Sequence, residues 1–176
     1  MTAIYNHHIS AGLGAADATR LEAEDLARRR KNMRSHRLPH LVADFDGQVV
    51  GYAYAVPFRK RPAYRFTLKH SIYIHHQFTG QRIGQLLLST LIDACAAAGY
   101  RQLIGYIDAE NEASLRLHEG FGFIRVGRLS GVGFKFGAWA DSVMVQRALG
   151  PGASLPPGVW PDETGAKGEA ISGREA

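Results

Sequence analysis

Residues 69–98 constrain the fold of this chain more than any other stretch. A strand-like run, Lys69-His70-Ser71-Ile72-Tyr73-Ile74, breaks into a polar turn, Thr79-Gly80-Gln81-Arg82-Ile83-Gly84. Leu87, Leu88, Leu91, Ile92 and Cys95 then follow at helical spacing. A strand feeding a glycine-containing turn at a helix start gathers free backbone N–H groups in one place. The helix dipole adds attraction for negative charge, so such a turn suits a phosphate or pyrophosphate. Gly80 and Gly84 let the backbone curl, and Arg82 offers a side-chain cation.

The rest of the chain sets this unit in an α/β plan. Ile4 to Ile9 reads as the end of a helix, and Glu22 to Arg34 as a charged surface helix. Leu38 to Phe45 and Gln48 to Val56 are apolar runs joined by Asp46-Gly47, a strong hairpin signal. A basic, proline-containing loop spans Pro57 to Tyr64, and Phe66 to Ile74 is the next strand. The helix over Gly84 to Ala98 stops at Gly99. Gln102 to Ile107 reads as a strand and Asn111 to Glu119 as a helix, with Asn111 a good N-cap. Phe123 to Leu129 and Val143 to Leu149 read as closing strands across a glycine-rich loop carrying Phe134, Phe136 and Trp139. Strand and helix alternate throughout, which implies a mixed central sheet with helices on both faces.

At 176 residues the chain fits one domain, over 1–149, followed by a flexible Gly/Pro/charged tail over 150–176. The lone Cys95 cannot form an internal disulfide, which points to a reducing, cytoplasmic setting. Neither a membrane-length apolar run nor a signal-peptide pattern is expected to operate here. A formal charge of +5 suits an anionic ligand or simply a basic surface. The cluster Arg28-Arg29-Arg30-Lys31 has no aromatic stacking companions, so it reads as a solvated helix face and not as a nucleic-acid site. No metal site is expected.

The turn at 79–84 resembles the acetyl-CoA loop of the GNAT N-acetyltransferases, usually Gln/Arg-x-x-Gly-x-Gly/Ala. Thr79 stands at its first position, Arg82 at its first glycine and Gly84 at its second. Further segments are similar, in order and spacing, to the phosphinothricin and methionine sulfoximine N-acetyltransferase branch. They are Gly51-Tyr52-Ala53-Tyr54-Ala55, Arg61-Pro62-Ala63-Tyr64, Ser71-Ile72-Tyr73-Ile74, the helix from Asn111 to Glu119, and Gly133-Phe134-Lys135-Phe136-Gly137-Ala138-Trp139. The similarity covers roughly residues 4–148.

The resemblance implies a GNAT fold whose strands splay to hold the pantetheine arm of acetyl-CoA as a co-substrate. Ser71, Ile72 and Tyr73 would then bond the acetyl and pantetheine groups through their main chain. Thr79, Gly80, Gln81, Arg82, Ile83 and Gly84 would cradle the pyrophosphate, with Asn111 and Ser114 also touching the cofactor. His118 takes the place of the superfamily's usual tyrosine as proton donor to the leaving thiolate. Arg59, Arg61 and Tyr64 match positions near the anionic end of the acceptor, an amino-acid-like amine. The resemblance also implies a homodimer.

Three departures bear on function. Lys69 occupies the place of the family's acidic residue, so a cation replaces the group that would attract an ammonium. A lysine serves as a base only after burial removes its charge. His70 follows, pointing to the opposite face of a regular strand, and a bulge would bring both near the cleft. The base is therefore His118, His70 through water, or a neutral Lys69, unless the family activity is lost. Ala15-Ala16-Asp17 replaces an aromatic or acidic pair, implying an altered acceptor pocket. Only three residues precede the segment that matches the family at Ile4, so the family's first strand is expected to be absent, or the start lies inside a longer frame. Two alternatives stand beside a small-amine acetyltransferase. One is a catalytically silent acyl-CoA-binding module, and the other a peptide or protein acetyltransferase.

Overall fold

The computed structural model describes residues 1–10, 21–35 and 37–156. Ala15-Ala16-Asp17 and residues 157–176 of the expected tail lie outside these. Among the described residues, four α-helices and six strands follow in the order α1 (Thr2–Ser10), α2 (Ala23–Ser35), β1 (His40–Phe45), β2 (Gln48–Pro57), β3 (Thr67–Ile74), α3 (Ile83–Ala97), β4 (Gln102–Asp108), α4 (Glu112–Gly120), β5 (Ile124–Lys135) and β6 (Ala138–Ala148). The strands form one sheet in the order β1-β2-β3-β4-β6-β5. Every neighbouring pair is antiparallel except β3 and β4.

Local chemistry explains the hairpin at β1–β2. Phe45 pairs with Gln48, and the two residues between them, Asp46 and Gly47, both have positive φ, 50° and 80°. Two left-handed residues match the twist of the flanking strands, and Asp and Gly reach that conformation at low cost.

Alternation along β2 and β3 builds two different faces. Ala53, Ala55 and Leu68 join Leu87, Leu88, Leu91 and Cys95 of α3 in the main core. The opposite face carries Tyr52 and Tyr73, which stack at 5.0 Å, with Tyr5 of α1 against Tyr73 at 5.5 Å. Small alanines let α3 approach the sheet, whereas the aromatic stack supports α1 on the other side.

Two expectations change here. The glycine-rich stretch read as a loop is strand: β5 and β6 form a long hairpin that turns at Phe136-Gly137. Register shifts between Arg125 and Gly127, and between Leu129 and Gly133, absorb the extra residues as bulges. The tail expected to start at 150 is in part packed. Gly152 N–H bonds the Leu149 carbonyl at 2.9 Å, Gly152 is buried, and Arg101 donates to the Pro156 carbonyl at 3.4 Å.

Candidate active site

The parallel pair β3–β4 pairs only from Thr67 opposite Gln102 to His70 opposite Gly105. Both strands continue, to Ile74 and Asp108, but without pairing to each other. The parted edges open a cavity of about 840 Å³, within the usual range for a small-molecule site. Ser71, Ile72, Tyr73 and Ile74 line one side, and Gly105, Tyr106, Ile107 and Asp108 the other. Ser71–Ile74 pair with β2 on their far side. The Ile74 carbonyl is met by His8 Nε2 at 2.7 Å, which leaves the edge nearer Ile72 for a ligand.

The turn before α3 closes one end of the cavity, contributing Thr79, Gly80, Arg82, Ile83 and Gly84. Gly80 has φ 77°, and Arg82, at the first glycine position of the family loop, has φ 62°. The curl therefore comes from Gly80 and Arg82. Gly84 is helical, and its missing side chain matters for packing, since a β-carbon there would lie 3.2 Å from Leu117 Cδ2 of α4. Gln81 is exposed and stands outside the lining. Asn111 lines the cavity while its side chain caps α4, accepting from Ser114 N–H at 3.1 Å. The expected N-cap role is met.

Alternation holds along β3, whose pairing to β2 runs without a bulge. Lys69 is exposed in the cavity, and His70 is buried on the opposite face. The burial that a neutral, basic Lys69 would require is absent. His70 is not linked to the cleft through a solvent-facing nitrogen; its Nε2 lies 2.9 Å from Nε2 of His118. His70 Nδ1 contacts the Ile104 carbonyl at 2.9 Å, and His118 Nδ1 the Ser114 carbonyl at 2.7 Å. Ser114 Oγ lies 3.5 Å from His118 Nδ1 and faces the cavity. His118 is 2% exposed, so it touches the cavity from beneath. Burial lowers the proton affinity of both rings, and for His70 the neighbouring His118 charge adds to it, to a pKa of about 3.

Arg59, Arg61 and Tyr64 are not brought into the cavity. Pro62–Tyr64 forms a 3-10 turn on the surface, and the Arg59 guanidinium stacks 5.2 Å from Phe58 and 5.7 Å from Tyr64. Besides Lys69 and Arg82, Arg29 also lines the cavity, from the cluster read as a solvated helix face. Arg29, Asn32 and Met33 follow an i, i+3, i+4 spacing, so one side of α2 meets the cavity. That spacing was the available signal. Asp108, also lining the cavity, forms a buried ion pair with Lys135 of β5.

The site is thus a mixed sheet that parts beside a positive-φ turn at a helix start. The chain belongs to the GNAT acetyltransferase family, whose model matches residues 3–123. It is 44% identical over 158 residues, 89% of this chain and 80% of the relative, to a phosphinothricin N-acetyltransferase of Alcaligenes faecalis. It is 38% identical over 111 residues to an L-methionine sulfoximine/L-methionine sulfone acetyltransferase of Salmonella typhimurium, covering 63% of this chain and 65% of that one. Among solved structures, a phosphinothricin acetyltransferase of Sinorhizobium meliloti in complex with AcCoA superposes with a TM-score of 0.83 at 39% identity, covering 92% of this chain and 89% of that one.

Proposed function

We propose that this enzyme transfers the acetyl group of acetyl-CoA directly to the amine of a small amino-acid-like acceptor, such as phosphinothricin or methionine sulfoximine. The observation that carries the reading is the parting of β3 and β4 after His70 and Gly105, with the Gly80–Arg82 turn at its mouth. The residues fit the co-substrate on two counts. Unpaired strand edge suits an extended amide-bearing arm, and a left-handed turn with Arg82 suits pyrophosphate.

Acetyl-CoA supplies an activated carbonyl when bound. The chain's own contribution is to place that carbonyl against strand N–H groups, which favours the oxyanion that develops as the amine attacks. Tyr54, Lys69, Arg29 and Asn32 also line the cavity, and in this reading they form the acceptor end. Lys69 and Arg29 favour an acceptor with a carboxylate or phosphinate group. A cation beside the amine would also promote loss of its proton to solvent water. Attack would then form the C–N bond as the C–S bond breaks, releasing coenzyme A as the thiolate, which takes up a proton from solvent.

The acting form is a homodimer in the cytoplasm. Phe134, Phe136 and Trp139 on the β5–β6 hairpin are 60%, 67% and 71% exposed, an apolar surface suited to a second copy. The single, buried thiol Cys95 is compatible with a reducing compartment. Residues 1–149 act as the transferase unit, with the segment beyond as an appendage.

A thiol-release assay with acetyl-CoA over amino acids, methionine sulfone, methionine sulfoximine and phosphinothricin tests the reading. Release with at least one acidic amine is expected. Tight acetyl-CoA binding with no release across the panel would replace it with the silent acyl-CoA module. Sedimentation of a monomer at micromolar concentration would remove the homodimer.

A further inference from the structure

We propose that His70 and His118 act as one proton-holding unit, with a single proton between their Nε2 atoms, so that His70 is the positioning residue of His118. This rests on the acetyltransferase reading above for its role in turnover, but its geometry stands alone.

A neutral imidazole has one N–H donor and one lone-pair acceptor. A backbone carbonyl only accepts. The contacts of His70 Nδ1 to the Ile104 carbonyl and of His118 Nδ1 to the Ser114 carbonyl therefore both call for an Nδ1 proton. If each ring is then neutral, both Nε2 atoms carry lone pairs, and two lone pairs face each other at 2.9 Å. Moving one proton to Nε2 repairs that contact but turns a bare Nδ1 toward a carbonyl oxygen. Every neutral arrangement leaves two acceptors in contact. Three protons on the four nitrogens satisfy all three contacts at once. Four protons oppose two N–H groups at Nε2, so a second charge is excluded.

The pair thus carries one positive charge. Burial opposes that charge, whereas three satisfied hydrogen bonds in a low-dielectric site favour it. The lowered proton affinity of both rings, set first by burial and for His70 also by the His118 charge, opposes the entry of a second proton. Around the rings stand Phe123, 5.3 Å from His70 and 5.1 Å from His118, and Gly105 and Val145 from β4 and β6. Ser114 comes from α4. The charged groups lining the shared cavity are Lys69, Arg82, Arg29 and Asp108, the last tied to Lys135.

The arrangement changes what His118 can do. Both its nitrogens are engaged, so it is not a free-standing acid. The buried charge sits at the last paired rung, beside the gap between β3 and β4, and would favour negative charge developing there.

Long-range proton–nitrogen NMR on the histidine-labelled full chain, from pH 5 to 8, decides the proton count without reading activity. Both Nδ1 are expected at protonated shifts, both Nε2 at intermediate shifts, and none should move across the range. Two neutral rings with unprotonated Nε2 signals, or a single ring titrating near its ordinary value, would overturn the proposal. Kinetics of H70Q, H118Q and the double variant test the unit. Each single change is expected to lower kcat at least tenfold with KM for acetyl-CoA within about threefold, and the double change to add little. H70Q at wild-type kcat would remove His70 as a positioning residue. An enzyme inactive on every amine would refute the function proposed above, and the NMR result would still decide the pair.

Discussion

A β-carbon at Gly105 would come within 2.9 Å of His70 Cε1 and 3.0 Å of Val145 Cγ2, so the histidine ring rests on a residue with no side chain. Gly105→Ala should push the ring off the Ile104 carbonyl. Overpacking of this kind costs about 1–3 kcal/mol, and each kcal/mol lowers Tm by roughly 2–4 °C in a chain of this size. Turnover should fall tenfold or more while acetyl-CoA affinity, by calorimetry, stays within threefold. Unchanged turnover would detach the ring's placement from function.

Arg82 holds a left-handed backbone at φ 62° where the family loop has glycine. Both Arg82→Gly and Arg82→Ala should weaken CoA binding several-fold by removing the same cation. The glycine variant should be the more stable by about 1 kcal/mol, since only alanine keeps the left-handed penalty. Thermal melts of the two, compared directly, check this, and equal melting points would refute it.

For an acidic acceptor, Arg29→Ala should raise KM at least fivefold, with little change for a neutral amine. Arg61→Ala, which alters a residue outside the cavity, should leave both nearly unchanged. The reverse ranking would return acceptor recognition to the Arg59–Tyr64 loop.

Tyr52 is fully buried, and its hydroxyl has no hydrogen-bond partner among the described residues. A buried, unpaired hydroxyl carries an uncompensated desolvation cost of about 1–3 kcal/mol. Tyr52→Phe should therefore raise Tm by a few degrees, and a fall on calorimetry would show that the hydroxyl has a partner.

Asp141 accepts from the Gly131 N–H at 2.7 Å and from Arg128, and these bonds hold its carboxyl below the usual range. A carboxylate with a lowered native pKa stabilises the fold above its unfolded pKa, and this is lost as pH falls through the native one. Asp141→Asn should flatten the stability profile below about pH 4, in denaturant titrations across that window. A profile unchanged by the substitution would show that these bonds do not contribute.

Much of this was legible in residues. Asp46-Gly47 specified its hairpin because few residues reach φ above zero cheaply. Asn111 declared a helix start because its side chain replaces a missing backbone partner. Alternation along β3 separated Lys69 from His70 correctly. What failed to show were features set by distant segments. Residues 48 apart in sequence bring the two imidazoles together, and nothing local says that β3 and β4 part after four rungs. The glycines at 127, 131, 133 and 137 imitated a loop, because bulges and loops both need such residues. Arg29 was obscured by its basic neighbours, although Asn32 and Met33 beside it marked a face turned inward.

The last rung shared by β3 and β4 is His70 opposite Gly105, the same rung that carries the imidazole. That ring bridges the two strands, bonded to the Ile104 carbonyl and resting on Gly105. A ligand that widened the gap is therefore expected to disturb the imidazole contacts as well.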